Sequence, residues 1–195
     1  MMVCKQEVIV TASIAFVGDG LLAGGQWEQW LPEYDVMNLA VTGSTTDDVI
    51  GSLDVVVNLR PDAVVLMIGT NDLGWRKSDE HVVRNLETIL HTLRKQLSET
   101  RILVHSVLPR GHDFSATIQS INRHIWQYAP TQYVQYLDLW AAMAQPDGEL
   151  AVGLSDDHLH LTPAGYEAWV AELRPALETL FERPPSTSSI PTQHA

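Results

Sequence analysis

Cysteine is nearly absent from this 195-residue chain: Cys4 stands alone, so no intramolecular disulfide can form and no cysteine-based zinc site can assemble. That scarcity suits a reducing compartment, and a cytoplasmic location is expected. Basic residues are scarce too, with 12 Lys and Arg against 24 Asp and Glu and a formal net charge of -12. A surface of that sign repels a phosphate backbone, which argues against nucleic acid as a partner. No stretch approaches the ~20 apolar residues of a membrane span. The apolar run from Val8 to Val17 follows Glu7, has only Lys5 as a basic lead and runs into a Gly-Asp-Gly turn. It therefore reads as a strand with its lead-in rather than as a cleaved leader.

What is present describes a globular chain. Hydrophobic residues make up 45% and charged residues 18%, and the length suffices for one well-filled core but not for two ordinary domains. One domain is expected over residues 1–183. The remainder, 184–195, opens on Pro184-Pro185, has few apolar residues and reads as a mobile tail.

Short β-branched runs alternate with longer helical patterns, the mark of a parallel sheet covered on both faces. Strands are expected at Ile14–Val17, Asp35–Leu39, Ala63–Ile68, Ile102–Leu108 and Val134–Leu139. The third is continuously apolar, as a central strand buried on both faces should be. A helix starts at Thr46-Asp47-Asp48, another at Ser78-Asp79-Glu80, and a last one runs from Pro163 to about Phe181. The expected fold is thus a three-layer α/β/α sandwich on a five-stranded parallel sheet in flavodoxin-like order.

Ligands of such sheets bind at the carboxyl ends of the strands, near the point where strand order reverses. Three loops follow the first three strands there: Gly18-Asp19-Gly20, Asn38 to Gly43, and Gly69-Thr70-Asn71-Asp72. A fourth segment, Asp157-His158-Leu159-His160, precedes the last helix. A histidine held by a carboxylate three residues earlier can accept a proton and return it, as acyl transfer requires. Asn71 offers an amide donor and Gly43 an unobstructed backbone N–H for a developing oxyanion.

In order and spacing these four segments resemble the SGNH (GDSL-type) esterases and lipases, named for a serine, a glycine, an asparagine and a histidine. The resemblance covers Ile14 to Leu180. It implies hydrolysis of a small-molecule ester or acylated sugar without cofactor or metal, with Asp157 and His160 as the acid and base. Gly20, Gly43 and Asn71 would form the oxyanion hole. One element is missing, because the family's nucleophilic serine corresponds to Gly20. Val107-Leu108-Pro109-Arg110-Gly111 and Tyr136-Leu137-Asp138 narrow the resemblance to the platelet-activating-factor acetylhydrolase-like branch. Departures from that branch are Ala40 and Thr42 where glycines are usual, and Ser44 where aspartate is common. With no attacking oxygen at position 20, the chain is expected to be inactive or very slow as an esterase, unless His160 activates a water directly or Ser44 attacks. A non-catalytic binding module on the same fold is the alternative.

Two further patterns compete for the same residues. Gly18-Asp19-Gly20-Leu21-Leu22-Ala23 fits a dinucleotide fingerprint, but Asn38 stands where a ribose-binding acid is needed. Asp156, Asp157, His158 and His160, with Asp19, could ligate a metal. Trp27 and Trp30 could line an acyl pocket or cover the core edge. The oligomeric state is not legible.

Overall fold

The computed structural model describes residues 11–184; the tail from residue 185 onward and the start of the Val8 lead-in lie outside them. Five strands form one sheet: β1 (Ser13–Gly18), β2 (Asp35–Asn38), β3 (Ala63–Met67), β4 (Arg101–His105) and β5 (Gln135–Leu137). Their order is β2-β1-β3-β4-β5 and every pairing is parallel. The reversal of strand order lies between β1 and β3, so the ends of these two strands define the crevice.

Alternation along the strands creates two cores. Ala15, Val17, Val64 and Leu66 face one side, while Ile14, Phe16, Val65 and Met67 face the other. The first side is covered by α3 (Thr46–Leu59), α5 (Asp79–Gln96) and α6 (Ser115–Tyr128). On the second side lie α1 (Gly20–Ala23), α2 (Trp27–Trp30), α7 (Trp140–Met143) and α8 (Pro163–Glu182). A short α4 (Thr70–Gly74) follows β3 at the strand-end edge. In α8, Trp169, Leu173 and Leu177 recur every four residues and are fully buried, which pins the helix across the sheet.

Helix starts follow local chemistry. Thr45 caps α3 in a reciprocal box with Asp48, Ser78 caps α5, and Thr162 caps α8 with Pro163 in the first turn. Two strands are shorter than expected by more than one residue. The fourth ends at His105 rather than Leu108 because the Asn122 side chain takes over the ladder, accepting from Val107 N at 2.8 Å and donating to Val107 O at 2.9 Å. The fifth is confined to Gln135–Leu137; before it Tyr133 turns the chain at φ 52°, and after it Leu139 N donates to Ser106 Oγ. The helix α6 was not expected from the sequence, although Ile118, Ile121 and Ile125 carry its spacing.

Candidate active site

Strand β1 delivers the chain to the crevice at Gly18, where a Cβ would stand 2.0 Å from Met67 O, so only glycine fits there. Asp19 then caps α1, its Oδ1 accepting from Leu21 N at 3.0 Å. Gly20 is the first helical residue, where a backbone N–H has no partner within its own helix. Its φ is not in the left-handed region. A Cβ at this position would meet Thr42 Cγ2 at 3.3 Å, Thr42 Cα at 3.5 Å and Thr42 Oγ1 at 3.6 Å.

The loop after β2 is held against this turn by its backbone. Leu39 N donates to Phe16 O and Val41 N to Gly18 O, continuing the β1 pairing beyond β2. Val41 to Ser44 form a tight turn closed by Ser44 N to Val41 O, with Gly43 at φ 85°. That φ favours glycine and no side chain covers the position. Asn71, in α4, donates its amide to Ser44 O at 2.8 Å and keeps its second amide hydrogen for other use. Gly20, Gly43 and Asn71 are therefore gathered on one edge. Beneath them Asp72 is fully buried and accepts from Thr46 N at 2.9 Å and Thr46 Oγ1 at 2.6 Å, locking α4 to the start of α3.

Asp157 and His160 meet directly. Asp157 Oδ2 lies 2.6 Å from His160 Nδ1, and Oδ1 accepts from His160 N at 2.7 Å and Leu159 N at 3.0 Å. His158, at φ 60°, makes the bend that permits this and places its own ring 3.8 Å from Glu149. The His160 contact, helped by those backbone donors, holds the Asp157 carboxyl well below its usual range. An ionised Asp157 keeps a proton on Nδ1 and leaves Nε2 of the exposed His160 free to accept one. The segment is tied to the first turn through Tyr166, whose hydroxyl donates to Leu21 O at 2.8 Å.

Two residues of this edge carry more than their sequence context suggested. Asp19 is 1% exposed, its Oδ2 has no partner among the described residues, and burial raises its pKa from 3.8 to about 7. The Leu21 N–H opposes that rise, nearby Asp72 adds to it and Arg110 counters it. Arg110 donates to Thr70 O at 2.8 Å, lies over the Phe114 ring at 4.4 Å from its centre, and is attracted by both Asp19 and Asp157. Its charge acts on both carboxylates at a distance, without an ion-pair contact to either. Its signal in the sequence was the Leu-Pro-Arg-Gly segment; Asp19 stood out there only beside Gly20 and as a possible metal ligand.

The competing patterns resolve differently. Where a ribose-binding acid would stand, Asn38 donates to Leu22 O instead, and the helix after the glycines has only four residues. The close grouping of possible metal-ligating atoms among the described residues is Asp47, Asp72 and His81, within 4.8 Å of one another, rather than the Asp156 to His160 set. Asn85 and Thr46 already bind these side chains and join α3 to α5. Trp27 is a core residue, stacked on Phe16 at 4.8 Å. Trp30 lines a groove of about 420 Å³ with Tyr166, Val170 and Arg174 on the outer side of α8.

The sequence profile of the GDSL-like Lipase/Acylhydrolase family matches residues 13–168. Platelet-activating factor acetylhydrolase IB subunit alpha2 of Gallus gallus is 27% identical over 195 residues, covering 93% of this chain and 82% of the relative. The IB subunit beta homolog of Drosophila melanogaster is 26% identical over 194 residues, covering 92% and 84%. Among solved structures, a GDSL-like lipase from Bacteroides thetaiotaomicron gives a TM-score of 0.78 at 21% identity, covering 86% of this chain and 88% of that one. A catalytic mutant of an acetylxylan esterase from Geobacillus stearothermophilus gives 0.69 at 18% identity, covering 84% and 93%. These structural likenesses establish a shared fold. With the profile spanning the whole sheet and the start of α8, the chain belongs to the GDSL-like lipase/acylhydrolase family.

Proposed function

We propose that this chain carries an ester-hydrolysing site for short acyl groups on a small molecule or sugar, built on Asp157, His160 and the donors of Gly20, Gly43 and Asn71. The observation that carries the proposal is the 2.6 Å contact from His160 Nδ1 to Asp157 Oδ2, which supports an exposed imidazole as the base. Family membership supports ester chemistry, and relatives named for acetyl esters favour a short acyl group. Position 20 supplies a backbone N–H but no hydroxyl. Loss of the nucleophile in a serine hydrolase costs roughly 10⁶ in turnover, while the remaining site still gives about 10³–10⁴ over water. Slow turnover is the expected state of the natural chain.

Gly20→Ser tests the site. The backbone accepts a serine without left-handed strain, and its Cβ needs Thr42 Cγ2 to yield a few tenths of an ångström. Hydrolysis of 4-nitrophenyl acetate should rise by orders of magnitude, a fluorophosphonate should label position 20, and both gains should vanish when His160→Ala is added. A folded Gly20→Ser protein with neither turnover nor labelling would refute the hydrolase reading and leave a binding module.

A further inference from the structure

The space left by the missing serine is bordered by another hydroxyl. All three atoms nearest to a Cβ at position 20 belong to Thr42, among them Oγ1 at 3.6 Å. A serine oxygen would stand one carbon–oxygen bond out from that Cβ, so Thr42 Oγ1 borders the small volume such an oxygen would use. We propose that Thr42 supplies the attacking hydroxyl in the natural chain; the proposal rests on the ester-hydrolase reading of the same site.

Three features of the loop favour this role. Thr42 is solvent-exposed and so open to a substrate. Its position is fixed by the backbone bonds from Val41 N to Gly18 O and from Ser44 N to Val41 O, so the hydroxyl is carried on a turn anchored to β1. The residue that follows it, Gly43, offers the backbone N–H already assigned to the oxyanion. Nucleophile turns of other hydrolases have this arrangement, in which the residue after the nucleophile donates its N–H to the oxyanion. Two other hydroxyls of the loop are committed elsewhere, Thr45 to Asp48 and Thr46 to Asp72, and the three atoms nearest to a Cβ at position 20 are those of Thr42, not of Ser44.

The step balances without any co-reactant except water. Thr42 Oγ1 bonds to the ester carbonyl carbon as its proton passes to His160 Nε2, and the carbonyl electron pair moves onto the oxygen facing the Gly43 and Asn71 donors. Collapse breaks the bond to the alcohol, which leaves with the proton from His160. Water then attacks the acyl-threonine carbon and gives its proton to His160; collapse breaks the bond to Thr42 Oγ1, which takes that proton from His160, and the carboxylic acid leaves. A threonine ester is one of a secondary alcohol, more crowded than a serine ester, so turnover remains modest.

The natural chain, Thr42→Val and Thr42→Ser are compared with a fluorophosphonate probe, peptide mapping by mass spectrometry, and 4-nitrophenyl acetate hydrolysis. The natural chain should be labelled at Thr42. Thr42→Val, which keeps the shape and removes the hydroxyl, should lose the label and most of the turnover, whereas Thr42→Ser should keep or exceed both signals. Absence of label at Thr42, or turnover unchanged in Thr42→Val, overturns the proposal. The double variant Gly20→Ser with Thr42→Val separates this failure from that of the site itself. If the double variant is labelled at position 20 while the natural chain is unlabelled, only the role of Thr42 falls; if neither protein is labelled, the hydrolase reading falls with it.

Discussion

Replacing Asp19 by asparagine should reshape the pH dependence of stability, because Asp19 titrates in the fold where a free aspartate does not. Burial raises its pKa from 3.8 to about 7. Between those values the folded chain holds a proton that the unfolded chain has released, so stability falls as pH rises through that window. Below about pH 4 both states are protonated and the contribution vanishes. A tenfold change in proton affinity corresponds to about 1.4 kcal/mol, so the ionised, buried carboxylate costs on the order of 4 kcal/mol at most by pH 8. His105 acts in the opposite sense. It is wholly buried beside Trp169, whose indole N–H donates to its Nδ1 at 3.3 Å, and burial lowers its pKa from 6.5 to about 3. There the unfolded chain binds the proton that the folded chain cannot, so stability falls as pH drops below 6.5. From about pH 4 to 6.5 the two slopes oppose each other, and the natural chain gains little from either.

Asp19→Asn removes one slope and keeps an acceptor for Leu21 N, since asparagine caps helices as well as aspartate does. Urea unfolding midpoints of both proteins, taken from about pH 4 to pH 8 at unchanged m-value, give the difference in stability, from which every other titrating group cancels. The variant should gain on the natural chain as pH rises, by up to about 4 kcal/mol across that range, with most of the change below pH 7. Parallel stability curves would refute the reasoning and place an ordinary carboxylate at position 19.

Two stability changes follow from single contacts. Asn122→Leu leaves the buried Val107 N–H and C=O beyond β4 without their partner, and should cost about 2–4 kcal/mol in urea unfolding. Gly51→Ala, at an exposed position inside α3 where a Cβ meets nothing within 4 Å, should raise stability by about 0.5–1 kcal/mol, read as a higher melting temperature.

Much of this fold was written locally. The apolar run Ala63–Met67, the capping box of Thr45 and Asp48, and the four-residue spacing of Trp169, Leu173 and Leu177 each act over a few residues of chain. Their outcomes could be read without knowing what packs against them. The Asp157 and His160 pair was legible for the same reason, since three residues and one left-handed bend at His158 suffice to join them. Where strands end was less legible: the apolar residues continue to Leu108, and only the packing of α6 brings Asn122 across to claim the Val107 backbone.

By itself the sequence determined a parallel α/β sandwich, the candidates proposed as base and oxyanion donors, and the absence of a hydroxyl at position 20. Only the tertiary structure decided that Thr42 lies against position 20, because that proximity depends on β2 pairing alongside β1 and on Val41 N reaching Gly18 O. The burial that raises the Asp19 pKa and the attraction of Arg110 to both Asp19 and Asp157 belong to the same class. Periodicity and capping act between near neighbours in the chain, whereas proximity between loops and the desolvation of a charge exist only once distant segments have packed together.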